Sequence, residues 1–305
     1  MPCFRGIAGA VRKTCRTALA AFLSAALLLS SAPGEEIPRF GTFSGAMEYL
    51  SRCEAECRTE VLFLIPTAEL LKERPVQDDR GQPGFDLDDS LWNLIYALPS
   101  VFTLSYGAAE NGEDTCVRLG LRYRDGVRLY RAWRQGEADT LEEAERQALR
   151  AACGLAEEAA QREGDLEKAR ALCVLLCERI RFSLPGETAL NVKGCLAALN
   201  EGAANCQGYS DAFYLAASIL GLDVGYLNGR AVGTGENHTW NTLTVDGQVL
   251  YVDLTWMDRP SGTDFSQFAM TPEILLRTHA PYPPLSSALL DPLSRSSPAR
   301  ASGRA

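Results

Sequence analysis

The clearest hydrophobic pattern of the chain lies in the stretch NCQGYSDAFYLAASILGL, which runs from Asn205 to Leu222. Its apolar residues recur at the i, i+3, i+4, i+7 spacing of a helix that buries one face. These residues are Tyr209, Ala212, Phe213, Ala216, Ala217 and Leu220. Gly221 follows as a C-terminal stop signal. The pattern therefore predicts a helix that begins near Cys206 and packs one side into the core.

A β-hairpin is predicted by the stretch ENHTWNTLTVDGQVLYVDLTWMD, in which both halves are rich in β-branched and aromatic residues. Between the halves, Asp246-Gly247 is one of the strongest signals for a two-residue loop. Such a loop pairs Val245 with Gln248, and this register makes His238 and Asp253 diagonal neighbours on one face. A three-residue loop would place the two side chains on opposite faces. We expect Asp253 to lie inside the second, apolar strand.

The rest of the chain reads as an N-terminal α+β region of unknown role, residues 35–139, followed by a second domain at residues 140–275. The expected elements of the first region are a helix over 43–56, an apolar run ending at Pro66, a polar surface loop over 73–84, a helix from Asp88 to Leu98, and strands over 101–106 and 115–123. Residues 140–179 have helical periodicity with a break at Gly164-Asp165. The second domain carries its chemical motifs in residues 187–258.

Both ends of the chain differ in composition from the middle. Residues 1–34 combine a basic start with fifteen uncharged residues, Thr17 to Ser31, which is the pattern of a signal peptide cleaved before Glu35. An uncleaved N-terminal anchor is the alternative. We therefore expect export to the cell envelope or beyond, with no membrane span other than this segment. Residues 281–305 are rich in Pro, Ser and Arg, which predicts a disordered tail.

Composition excludes some classes of function. The chain has 305 residues, 46% of them hydrophobic, which is enough for a large core. Its net charge of −9 argues against a nucleic-acid partner or a polybasic membrane surface. The sequence contains no Walker loop, no GxGxxG after a strand and no EF-hand loop. We predict no cofactor, and leave the oligomeric state open.

The cysteines are numerous but do not form a recognisable metal motif. Of ten, Cys3 and Cys15 belong to the predicted signal peptide, which leaves eight. Cys53/Cys57 and Cys173/Cys177 are CxxxC pairs on expected helices, and together they would supply the four thiolates of a zinc site. Core packing is the commoner role for such i, i+4 pairs, so we predict no metal. The disulfide pattern cannot be read from the spacing.

Three residues suggest nucleophilic chemistry. Cys206 would stand at the positive end of a helix dipole, which favours a thiolate, although a buried cysteine is more often simply a small apolar residue. The chain has only two histidines, and we expect His279, beside prolines in a polar tail, to lie at the surface. His238 is then the candidate base. Asp253, a carboxylate in an apolar strand, needs a partner, and His238 is the nearest candidate.

The same residues carry a resemblance to a known family. Cys206-Gln207-Gly208-Tyr209, His238-Thr239-Trp240-Asn241 and Val252-Asp253-Leu254-Thr255-Trp256 resemble, in order and spacing, the motifs of the transglutaminase-like superfamily within the papain-like fold. The resemblance covers about residues 165 to 260. It implies an α+β fold in which a cysteine at a helix N-terminus packs on an antiparallel sheet that carries the histidine and the aspartate. It also implies that Cys206 is the nucleophile, His238 the base and Asp253 the residue that orients the base.

The activity implied is acyl transfer at peptide or side-chain amides through a Cys206 thioester, with a protein or peptide as substrate. Hydrolysis, as in a cysteine peptidase or amidase, is favoured over cross-linking to an amine by a transglutaminase. A binding or scaffold module without catalysis is the alternative from another class. The Cys206 backbone N–H is the default oxyanion donor, and no side chain is assigned to assist it.

Overall fold

The computed structural model describes residues 36–69, 75–77, 83–85 and 98–282. The predicted signal peptide, most of the predicted 88–98 helix and the tail from residue 283 lie outside these residues. So does most of the predicted 73–84 loop, but its described residues, 75–77 and 83–84, belong to two paired strands, so for them the prediction of a loop was wrong. The chain divides into two compact units, residues 1–90 with 104–121 and residues 91–103 with 122–305. In the described part of the chain, no helix combines the length and the apolar character that a membrane crossing requires.

In its described residues, the first unit contains the helix α1 and antiparallel strands, and residues 67–69 are also helical. Its elements are α1 (Phe43–Ala55), β1 (Glu60–Pro66), β2 (Pro75–Gln77), β3 (Pro83–Phe85), β4 (Val101–Asn111) and β5 (Asp114–Tyr123), the last two of which extend into the second unit. The Thr42 side chain caps α1 by accepting a hydrogen bond from Gly45 N at 3.2 Å. β5 lies between β1 and β4, and β2 pairs with β3. The expected helix and strands of this region are confirmed.

The second unit contains most of the helices in the described residues. They are α2 (Asp125–Gln135), α3 (Glu143–Ala159), α4 (Asp165–Arg179), α5 (Cys195–Asn200), α6 (Cys206–Ile219), α7 (Leu254–Met257) and α8 (Pro272–Leu275), with short 3₁₀ turns at 138–140 and 265–267. The predicted break at Gly164 is confirmed, because this residue precedes α4 with φ of 78°. The sequence pattern did not indicate α2.

A four-stranded antiparallel sheet packs beside these helices. In the order β10-β9-β8-β13, it contains β8 (Asp223–Ala231), β9 (Asn237–Val245), β10 (Gln248–Val252) and β13 (His279–Pro281). Two small ribbons complete the unit, β6 (Arg181–Phe182) with β7 (Ala203–Ala204) and β11 (Asp258–Arg259) with β12 (Gly262–Thr263). The mixed α+β class with an antiparallel sheet is as expected.

The predicted hairpin register is confirmed. Val245 pairs with Gln248, and Asp246 and Gly247 both adopt positive φ, 51° and 77°. This is the conformation of a two-residue type I′ loop. The second strand, however, ends at Val252, so the expectation that Asp253 lies inside it was wrong. Asp253 is the N-cap of α7, because its own side chain accepts a hydrogen bond from a backbone N–H of that helix and so favours helix initiation.

Helix α6 is the centre of the second unit's core. Five of the six predicted stripe residues are fully buried, and Leu220 is half-buried. The helix contacts α2, α3, α4 and α5 as well as β8 and β9. It therefore packs against helices and against the sheet, and burial of its large side chains contributes about 1.5–3 kcal/mol each. This packing fixes the start of α6 relative to the strand that carries His238.

Candidate active site

Cys206 is the first residue of α6, and its side chain is half-buried. The helix is capped by Asn205, whose Oδ1 accepts hydrogen bonds from Gln207 N at 3.0 Å and Gly208 N at 3.3 Å. A Cβ atom on Gly208 would lie 2.3 Å from the carbonyl oxygen of Val192, so only glycine allows this close approach of the first turn. The thiol thus stands at the positive end of a fourteen-residue helix and within reach of solvent.

His238 links this thiol to a carboxylate. Its Nε2 lies 2.8 Å from Asp253 Oδ2, and both side chains are buried. Burial alone lowers the pKa of His238, but hydrogen bonds to Asp253 and to Cys206 outweigh burial and raise it to about 10. Because Nε2 faces Asp253, Nδ1 is the nitrogen left for the thiol. The imidazole therefore holds a proton at neutral pH between a sulfur and a carboxylate.

Asp253 is held as a carboxylate despite complete burial. Burial raises its pKa, but hydrogen bonds from two histidines, His238 and His279, lower it below the ordinary value overall. Its second oxygen, Oδ1, accepts from Trp256 N at 3.3 Å. An ionised carboxylate next to the imidazole favours the protonated ring, so Asp253 can orient His238 and stabilise its positive charge.

Helix α6 is tied to the sheet by hydrogen bonds one turn beyond the thiol. Asn241 Nδ2 donates to Ser210 O at 3.1 Å and to Gly225 O at 3.0 Å, and Ser210 Oγ donates to Thr239 O at 3.1 Å. These bonds join α6, β8 and β9 at one point. They fix the distance between the start of α6 and the strand of His238. The sequence motif contained Asn241, but spacing alone assigned it no role.

His279 is where the sequence prediction failed. It is fully buried rather than at the surface, and its Nε2 lies 3.1 Å from Asp253 Oδ2. The reason is β13, a three-residue edge strand in which His279 pairs with Ala231 of β8. This long-range pairing turns the side chain into the core beside Trp240, whose ring centroid is 4.6 Å away. The polar, proline-containing surroundings in sequence concealed it.

His238, Asp253 and His279 together form a group of potential metal ligands. Their donor atoms lie within 4.8 Å of one another, and within the described ranges no other group of three or more such residues was found. Both imidazole nitrogens are, however, within hydrogen-bond distance of the same carboxylate oxygen. A metal ion would have to replace the protons of these bonds. We therefore treat the group as a hydrogen-bonded network.

The other thiols of the second unit differ from Cys206 in their surroundings. Burial raises the pKa of Cys173 and Cys195 well above the usual range, and that of Cys177 to about 12. Burial also raises the pKa of Cys153. A thiol with a raised pKa is a poor nucleophile at neutral pH. Cys206 differs from these four in its contact with an imidazole.

Comparison with known protein families gives one match. Residues 154–257 match the family model of the transglutaminase-like superfamily. This region resembles a transglutaminase-like domain. The match includes the three motifs of Cys206, His238 and Asp253, and it ends before His279. Comparison with curated protein sequences yields no match.

Some solved structures are similar to parts of the chain. They include a TGase, at 13% identity over 67% of this chain and 53% of that chain, with a TM-score of 0.34. A cysteine protease candidate from Cytophaga hutchinsonii aligns at 10% identity over 60% of this chain and 66% of that chain, with a TM-score of 0.35. A protease candidate from Parabacteroides distasonis aligns at 10% identity over 70% of this chain and 45% of that chain, with a TM-score of 0.28. This chain spans less than two thirds of each.

Proposed function

We propose that the protein is a cysteine acyl-transfer enzyme that cleaves peptide or side-chain amides, with Cys206 as nucleophile, His238 as acid and base, and Asp253 as the residue that orients His238. The observation that carries the proposal is the position of the His238 ring. One nitrogen is 2.8 Å from a buried carboxylate, and the ring also contacts a thiol at a helix N-terminus. A thiolate beside an imidazolium is the activated form of a cysteine nucleophile.

The reaction has two steps. In the first, the Cys206 thiolate attacks the amide carbonyl carbon, the C–N bond breaks, and His238 gives its proton to the departing amine. A thioester remains on Cys206. The backbone N–H of Cys206 is the default donor to the oxyanion, since the Asn205 side chain engages the next two N–H groups of the helix. In the second step, an acceptor attacks the thioester, His238 takes the acceptor's proton, and the thiolate leaves.

We propose water as that acceptor. Water needs no binding site of its own, whereas a lysine amine must be bound beside the thioester and must lose its proton before it can attack. Hydrolysis makes the protein a peptidase or amidase. Transfer to an amine, as in a cross-linking transglutaminase, is the competing outcome. The two are separated by the products, because hydrolysis yields a free acid and transfer yields a new amide.

The first test is the rate of Cys206 alkylation by iodoacetamide as a function of pH, followed by peptide mass spectrometry. Buried Cys195 serves as an internal control in the same sample, and His238→Ala is the matched variant. We expect Cys206 to react rapidly well below about pH 8, where an ordinary thiol is largely protonated, and we expect His238→Ala to abolish this. Peptides are then incubated with the wild-type protein and with Cys206→Ala, each with and without a primary amine. The masses of the products are measured by mass spectrometry.

The outcomes separate the proposals. Rapid labelling that depends on His238, with acid products even when amine is present, supports a hydrolase. Amine-containing products would overturn hydrolysis in favour of cross-linking. Labelling of Cys206 that follows ordinary thiol behaviour and ignores His238 would refute catalysis and favour a binding module of the same fold.

A further inference from the structure

Asp253 is shared by two imidazoles. His238 Nε2 and His279 Nε2 approach the same oxygen, Oδ2, at 2.8 Å and 3.1 Å. His238 is on β9, whereas His279 is on β13, two strands away in the sheet. Since a carboxylate only accepts hydrogen bonds when ionised, both rings must donate from Nε2. The contact chain from Cys206 therefore runs through His238 and Asp253 to His279.

The far side of His279 keeps its Nε2 proton in place. Its Nδ1 lies 2.8 Å from Thr278 Oγ1, and that hydroxyl is also 3.4 Å from Leu275 O. When the ring is neutral, the hydroxyl donates to Nδ1. When the ring is charged, Nδ1–H donates to the hydroxyl, which turns to Leu275. Nε2 carries a proton in both states, so the donor to Asp253 is always available.

The ring of His279 is also fixed by packing. β13 pairs with β8 in a register that sets Pro281 opposite Gly229. A Cβ atom on Gly229 would lie 2.5 Å from Trp240 Cη2 and 2.4 Å from a carbonyl oxygen of β13, so the strand can approach only because this residue is glycine. The edge of Trp240 then contacts His279, with 4.6 Å between ring centroids. A fully buried ring held this way has little freedom to rotate.

We propose that His279 is a positioning residue of the active site, whose Nε2–H holds the Asp253 carboxylate in the orientation that aligns His238 with Cys206. The inference rests on the proposed function, because it assigns a role in activating the same thiol. It adds a residue outside the segment that matches the superfamily, which ends at residue 257.

The surroundings of Asp253 explain why one donor matters. Asp253 is fully buried, and its other oxygen accepts a single long bond from Trp256 N, at 3.3 Å. Without His279, His238 would be the one side chain of the described residues that still donates to Oδ2. A buried carboxylate that loses a donor becomes easier to protonate and freer to rotate, and both changes weaken its hold on His238. Cys206 then loses part of the charge that stabilises its thiolate.

The test uses the full chain and two substitutions of His279. His279→Phe keeps a ring of similar volume but has no donor, whereas His279→Gln places an amide N–H near the position of Nε2. The readout is the second-order rate constant for Cys206 alkylation at neutral pH. We expect the Phe variant to lower it about tenfold or more, and the Gln variant to restore most of the loss. In an Asp253→Asn background, His279→Phe and His279→Gln should give the same rate constant for Cys206 alkylation.

A second pair of variants keeps the test independent of the stability of His279→Phe. Thr278→Val removes the hydroxyl that faces Nδ1 while keeping the shape, and Thr278→Ser retains a hydroxyl. We expect the Val variant to slow alkylation several-fold and the Ser variant to match wild type. Thermal unfolding and far-UV circular dichroism of each variant check that the fold is intact.

Three results would overturn the inference. If wild-type Cys206 reacts like an ordinary thiol whether or not His238 is present, the proposed function fails, and the role of His279 fails with it. If wild type is reactive and His238→Ala is not, but His279→Phe keeps the wild-type rate, then only the role of His279 fails. If His279→Phe and His279→Gln lower the alkylation rate constant equally, and Asp253→Asn does not change that loss, then the packing of the ring matters and its hydrogen-bond donor does not.

Discussion

Asp211 should be the polar residue of the second unit whose substitution destabilises the fold most, apart from the proposed catalytic residues Cys206, His238 and Asp253. It lies on the buried side of α6 with no exposed surface. Its two oxygens accept hydrogen bonds from Gly126 N at 3.1 Å each, from Cys195 N at 2.9 Å and from the Tyr226 hydroxyl at 2.7 Å. Gly126 is in the first turn of α2 and Cys195 begins α5. One carboxylate therefore caps two helices at their positive ends.

The size of the effect follows from these contacts. Asp211→Ala leaves three buried donors without their acceptor, and each costs about 1–3 kcal/mol, which gives a loss of roughly 3–6 kcal/mol after partial relaxation. That is a large share of the 5–15 kcal/mol typical of a domain. Asp211→Asn keeps the volume but offers one accepting oxygen, so a loss of about 2–4 kcal/mol is expected. Tyr226→Phe removes one donor only and should cost about 1–2 kcal/mol.

The assay is urea unfolding of the full chain, followed by tryptophan fluorescence and far-UV circular dichroism. We expect the loss of stability to increase from Tyr226→Phe to Asp211→Asn to Asp211→Ala. A second readout is Asp125, whose pKa is raised first by burial and next by the charge of Asp211. Asp211→Asn should lower that pKa in an NMR titration. Asp211→Ala costing no more than Tyr226→Phe, with the Asp125 pKa unmoved, would refute the reasoning.

Two further outcomes are expected. Burial lowers the pKa of His238, but hydrogen bonds to Asp253 and Cys206 raise it to about 10. For the proposed amide cleavage, kcat/KM should therefore fall only as pH rises past about 10, where the ring loses the proton that the leaving amine needs. Asp253→Asn should move this fall to lower pH. Asn241→Ala removes the hydrogen bonds from β9 to α6 and to β8. It should slow Cys206 alkylation and lower the free energy of unfolding by about 1–3 kcal/mol. The control Asn200→Ala breaks a remote hydrogen bond to backbone and should change stability without changing the alkylation rate.

Local signals predicted the local parts of the site. The Asp246-Gly247 loop gave the hairpin register because both residues accept positive φ, and register decides which side chains share a face. The stripe of α6 gave the position of Cys206 at a helix start. The signal for Asp253 was present but misread, since an aspartate followed by a short turn is also the pattern of an N-cap.

The parts that were missed depend on contacts distant in sequence. β13 has three residues and pairs with β8 across a long separation, so no periodicity reveals it, and His279 appeared to be a tail residue. Asp211 gave a usable signal, a charge inside an otherwise apolar helix face, because buried carboxylates require several donors. The identity of those donors, two helix starts and a tyrosine, becomes apparent only when the elements are packed.

The position of β13 has a consequence for the order in which the proposed site assembles. Among the described elements, β13 comes last along the chain, and a chain is synthesised from its N-terminus. α6 and the β9–β10 hairpin can therefore assemble before the strand with His279 exists. On the role proposed for His279, the nascent protein would hold a thiol that is already placed but not yet fully activated. Pairing of β13 with β8 would then complete the activation of Cys206, so the thiol would stay weakly reactive until this strand is in place.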